Sequence, residues 1–118
     1  MDFVELLFLC KRIKKASLLA LTGRVMDFTQ TDEQEMIREL VRDFAETVLS
    51  PSVEARDENQ TAPSEEWLQF LEYGLQGVTV PEEYGGSPID DVSESIIIEE
   101  LARVDPSFAV MYCVHVGL

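Results

Sequence analysis

The sequence predicts an all-α domain, and three observations carry that reading. Met36, Ile37, Leu40, Val41, Phe44 and Val48 recur at intervals of three and four, the period of one helical face. Hydroxyl and acidic caps, with glycine and proline stops, divide the chain into stretches of helical length. The one run with strand propensity, Ile96-Ile97-Ile98, lies among acids in a stretch longer than an ordinary strand, so it too reads as helix.

Taken in order, the first helix is expected over residues 31–49. Thr31-Asp32-Glu33-Gln34 forms a capping box, in which the Thr31 hydroxyl takes an orphan amide and Gln34 reaches back. Asp32, Glu33 and Glu35 suit the positive end of its dipole. Ser50-Pro51 should stop it, because a residue before proline avoids the α region. The polar stretch 53–59 reads as a short helix or turn. Pro63-Ser64 opens a further helix with Ser64 as cap, and Trp67, Leu68, Phe70 and Leu71 as its buried face. Gly74 suits the left-handed position that closes it. Residues 75–88 form a Gly- and Pro-rich loop in which Gly85-Gly86 makes a tight turn. Another helix is expected from Asp90 or Asp91 to Arg103, with Asp91 and Glu94 in capping positions. Asp105-Pro106 restarts the chain as cap and first helical residue. Residues 108–116 are apolar on all sides, so this last helix should be buried. The chain stops inside it, as a fragment of a longer protein would.

Charge is divided unevenly. Residues 1–25 carry five bases and two acids, whereas residues 26–118 carry 21 acids and four bases, a net charge of −17. Those four are Arg38, Arg42, Arg56 and Arg103, and no lysine follows Lys15. Nucleic acid is excluded as a partner, since phosphate contacts need Lys and Arg. A lysine-free acidic surface suits high salt, where screening weakens self-repulsion; the plainer reading is an acidic protein of ordinary salt. Residues 3–10 are mostly apolar but too few to span a bilayer, which takes about 20 residues. The basic cluster follows them, the wrong order for a signal peptide. The stretch reads as an interfacial helix, a flexible extension or a misassigned start. Met26-Asp27-Phe28 repeats the opening Met1-Asp2-Phe3, so Met26 is the favoured native start and residues 26–118 the domain.

No catalytic set emerges. Cys10 and Cys113 lie in no metal-ligand or disulfide pattern, and Cys113 reads as a buried thiol in a reducing cytoplasm. His115, the only histidine, has no nucleophile or acid at a recognisable spacing and reads as a packed, hydrogen-bonded side chain. Glu99 and Glu100 point about 100° apart on a helix and cannot both face one substrate; they read as solvated surface with at most one buried pair to an arginine. Gly85-Gly86 lacks the spacing and the lysine of a phosphate loop.

The run Gly74-Leu75-Gln76-Gly77-Val78, then Val80-Pro81-Glu82-Glu83-Tyr84-Gly85-Gly86, then Glu99-Glu100-Leu101-Ala102-Arg103-Val104-Asp105-Pro106-Ser107 resembles the start of acyl-CoA dehydrogenases, the short- and branched-chain members above all. The resemblance covers residues 26–118. It implies a helical N-terminal domain that ends before a β-barrel domain and a C-terminal four-helix bundle, in a homo-oligomeric enzyme of fatty-acid or branched-chain catabolism. It implies FAD between barrel and bundle, an acyl-CoA substrate whose α-proton a C-terminal glutamate removes, and an electron-transferring flavoprotein as acceptor. By the same resemblance no catalytic base, flavin-binding or coenzyme-phosphate residue falls in this chain, which alone would be inactive; the cysteine spacing separately indicates no metal site. The resemblance assigns Val110, Cys113, Val114 and Gly117 to one wall of the acyl pocket, and their i, i+3, i+4, i+7 spacing puts them on one helix face. A cytoplasmic, prokaryotic setting is expected for the protein. Flavin oxidases and monooxygenases of the same fold share this start, and a non-enzymatic helical module is the third reading.

Overall fold

The computed structural model describes residues 27–117. Helices α1 (Asp32–Phe44), α2 (Ser50–Asn59), α3 (Ser64–Leu71), α4 (Asp91–Val104) and α5 (Pro106–Gly117) are joined by a π turn at Ala45–Leu49 and by single 3₁₀ turns at Leu75–Gly77 and Glu82–Tyr84. The described residues contain no strand, so the domain is all-α. Helix α4 packs against α1 on one side and α5 on the other. Between them lies an aromatic core. Phe70 sits 4.9 Å from Phe44, and it meets Phe108 and Tyr112 edge-on at 5.5 and 5.6 Å. Val41, Leu49, Ile97 and Leu101 complete the core, all fully buried. Burying rings of this size, with the aliphatic side chains around them, helps offset the chain entropy of a domain so small.

The local signals act as expected at three places. Thr31 accepts the Gln34 amide, and Gln34 accepts the Thr31 amide. Gly74 takes φ 71° at the end of the α3 region. Asp105 Oδ1 accepts the Phe108 amide at 3.1 Å, one turn into α5.

Elsewhere tertiary packing prevails. The expected stop at Ser50-Pro51 does not occur, and the helical path runs on through α2. The turn before the proline widens so that the Ser50 amide donates to the Ala45 carbonyl. A π turn displaces the carbonyl that the proline ring would strike and absorbs the missing donor. Ser64 is not a cap: Pro63 holds that position and caps with no side chain. Asp90, rather than Asp91, caps α4, accepting the amides of Val92 and Ser93. Leu68 and Leu71, expected in the core, are exposed, as are Met36 and Leu40 on α1.

The loop before α4 is tightly tied. Gly77 carbonyl accepts from Val80 and Ser87, and Ile89 donates to Val78. Gly85 takes φ 84°. Gly86 lies so close to Val80 that a Cβ on it would come within 1.9 Å of the Val80 carbonyl oxygen. Only glycine fits there.

Candidate functional site

Helix α5 is two-faced, which its sequence does not show. Phe108, Ala109, Tyr112 and Val116 point into the core. The buried Tyr112 hydroxyl donates to the Leu75 carbonyl at 2.9 Å, and burial raises the phenol's pKa. The opposite face carries the four residues singled out from the sequence. Val110 is 63% exposed and Val114 52%, Cys113 is half-buried, and Gly117 is exposed with open space where a Cβ would stand. The last helix is therefore not buried on all sides, and the Cys113 thiol is not enclosed. His115 is also exposed, with its ring edge-on to Trp67 at 5.3 Å. The four residues share one face, and that face is not core of the domain as described. From Pro106 to Gly117 no acid or arginine interrupts it, although the rest of the domain is strongly acidic.

The arginines are engaged internally. Glu100, 2% exposed, receives Arg38 Nη1 at 2.6 Å, Arg42 through Nε at 3.0 Å and Nη2 at 2.9 Å, and Arg103 Nε at 3.3 Å. Hydrogen bonds from Arg42 and then Arg38 overcome the cost of burial and hold the Glu100 carboxyl at a pKa of about 2. Arg38 also reaches the exposed Glu99 at 3.2 Å, and Arg103 reaches Glu46 at 2.7 Å. One buried acid thus ties α1 to α4, and the adjacent pair is split between interior and solvent as helix geometry requires. Arg56 on α2 pairs with Asp105 at 2.7 Å and Glu66 at 3.2 Å, tying α2 to α3 and to the start of α5. The central role of Glu100 was missed from sequence; its signal was the persistence of four arginines in a stretch that has lost every lysine.

All four described arginines are paired to carboxylates. The glycine turn also has its amides in use: Gly85 donates to Glu82, Gly86 to Pro81 and Ser87 to Gly77. No group of three metal-ligating side chains occurs among the described residues. No helix among them is long and apolar enough to cross a membrane.

The domain thus combines a closed aromatic core, internally paired arginines and one uncharged outward face. Residues 31–118 match the family described as acyl-CoA dehydrogenase, N-terminal domain. The short-chain-specific acyl-CoA dehydrogenase of Clostridium acetobutylicum is 38% identical over 93 residues, 79% of this chain and 24% of that protein. The mitochondrial short/branched-chain-specific acyl-CoA dehydrogenase of Rattus norvegicus is 31% identical over 105 residues, 86% of this chain and 24% of that protein. A chain solved in work on the electron transferring flavoprotein of Acidaminococcus fermentans superposes with a TM-score of 0.74 at 36% identity, over 79% of this chain and 24% of that one. This chain belongs to the acyl-CoA dehydrogenase family, as its N-terminal domain. It spans about a quarter of the length of the relatives it matches.

Proposed function

We propose that this domain supplies one wall of the acyl pocket in an FAD-dependent acyl-CoA dehydrogenase, which removes hydrogen from the α and β carbons of acyl-CoA thioesters. The observation that carries this is the outward face of α5: Val110, Cys113, Val114 and Gly117 leave an uncharged, largely exposed strip on a domain of net charge −17. Exposed apolar surface of this kind is normally covered by a ligand or by another part of the protein. An acyl tail is neutral and needs only apolar contact and space, and Gly117 leaves space. The paired arginines support an assignment of the coenzyme phosphates, the flavin and the base to other parts of a longer polypeptide. There the enzyme would pass electrons to an electron-transferring flavoprotein and assemble as a homo-oligomer. A lysine-free acidic surface supports a high-salt prokaryotic cytoplasm as its setting.

The test uses the longer polypeptide. It is expected to purify with flavin absorbance and to oxidise acyl-CoA thioesters; a protein that does neither overturns the proposal. Gly117→Leu should shift the kcat/KM ratio toward butyryl-CoA over octanoyl-CoA. Each lost methylene contact is worth about 0.8 kcal/mol, so two or three excluded carbons change the ratio about tenfold or more. An unchanged ratio in a folded, flavin-loaded variant would show that this face does not line the pocket. Glu99→Gln should leave the chemical step intact, since its carboxylate lies in solvent beside Arg38.

A further inference from the structure

The α5 strip is useful as a pocket wall only if the C-terminal turn of the helix is held in place, and one side chain stands out as holding it. Thr79 Oγ1 donates to the Val116 carbonyl at 3.1 Å, 37 residues away in sequence and next to Gly117. We infer that Thr79 is a positioning residue for the pocket wall, tying the end of α5 to the loop between α3 and α4. The inference rests on the function proposed above.

The tie is worth having because the loop is rigid on its own account. Val78 is buried, and its carbonyl accepts the Ile89 amide at 3.2 Å. The Val80 amide is held by Gly77, and the Val80 carbonyl is backed by Gly86 with no room for a methyl group. Thr79 sits between these anchors, so its hydroxyl is presented from a fixed backbone. One turn earlier on α5, the Tyr112 hydroxyl is bound to the Leu75 carbonyl at the start of the same loop. Two hydrogen bonds, to loop positions Leu75 and Thr79 four residues apart, therefore hold α5 at Tyr112 and at Val116. The outward residues Cys113, Val114 and Gly117 lie within or just past that span. The Tyr112 contact is buried and inseparable from core packing. The Thr79 contact is not: Thr79 is exposed, and its side chain adds little to the core. Val116 lies in the last turn of α5, where carbonyls have no donor within the helix, so the hydroxyl binds without breaking a ladder bond.

Two variants isolate the hydroxyl. Thr79→Val keeps the shape and removes the donor, whereas Thr79→Ser keeps the donor. The first measurement is amide hydrogen exchange on this chain. Thr79→Val should lower the protection of residues 112–117 about fivefold, the size expected for one partly exposed hydrogen bond. Amides of α1 and α4 should be unchanged, and Thr79→Ser should restore the wild-type pattern. Unchanged protection at 112–117 in Thr79→Val, or a uniform loss across all helices, overturns the inference. The second measurement is made in the longer enzyme. KM for octanoyl-CoA should rise about threefold in Thr79→Val with kcat on butyryl-CoA unchanged, and Thr79→Ser should rescue it. A local exchange effect with an unchanged acyl profile, in an enzyme that does oxidise acyl-CoA, refutes the positioning role and leaves the function standing. Failure to oxidise any acyl-CoA removes the function, and the exchange result still decides whether Thr79 holds the helix.

Discussion

Replacing Glu100 by glutamine removes the one charge on which Arg38, Arg42 and Arg103 converge. The size of the effect follows from the carboxyl itself. Its pKa falls from the ordinary glutamate value of 4.5 to about 2, and a shift of that size corresponds to about 3 kcal/mol of folding stability at neutral pH. Part of this is returned in the variant, because Arg42 and Arg103 keep about half of their side-chain surface in water and can be solvated there. A net loss of about 2–3 kcal/mol remains, which lowers the Tm of a domain this size by about 10–20 °C. The pH dependence gives a sharper test. The folded pKa lies below the unfolded one, so the Glu100 contribution is complete above pH 4.5 and is lost as pH falls from there toward 2. The variant has no such contribution to lose. Thermal melts by circular dichroism should therefore show a wild-type-minus-variant Tm gap that is constant above about pH 5 and closes steadily below it. Taking the difference cancels the other carboxylates, whose protonation relieves self-repulsion in both proteins alike. A Tm loss of less than about 3 °C at pH 7, or a gap that does not narrow on acidification, would refute the view that this cluster joins α1 to α4.

Gly86→Ala puts a Cβ within 1.9 Å of the Val80 carbonyl oxygen; it should cost about 2–3 kcal/mol, read as a lower urea midpoint at unchanged m. With every described arginine paired internally and no lysine after Lys15, counterions must balance the surface. Molar salt should raise the Tm by several degrees over a dilute buffer, and equal melting in both would rule out a high-salt adaptation. Residues 1–25 lie outside the described residues and outside the family match at 31–118. Deleting them should move the Tm by no more than about 3 °C, and a larger fall would show that they pack on the domain.

The sequence by itself determined what depends on a few neighbouring residues. The capping box at Thr31 and Gln34, the left-handed Gly74 and the Asp105-Pro106 restart all work within one helical turn, and all appear in the structure. So does the all-α class, because a 3.6-residue apolar period over a dozen residues suits no strand. The family was legible too, in motifs rather than in physics. What only the tertiary structure decided is which face of each helix is covered. Leu68, Leu71, Met36 and Leu40 carry the right chemistry for a core but point where no described helix covers them. Helix α5 is apolar all round, so periodicity could not say that Phe108 and Tyr112 face inward and Val110 and Val114 outward; α4 and the Leu75–Gly77 turn decide that by occupying one side. Pro51 is a strong local stop, yet packing of Ala45 and Leu49 against the core carries the helix past it through a widened turn. The sequence allows the pair Glu99-Glu100 at most one buried contact with an arginine, and the convergence of three on Glu100 is not legible in it because that burial depends on partners up to 62 positions away. Spacing along a helix tells which residues share a face, and only neighbouring elements tell whether that face meets protein or water.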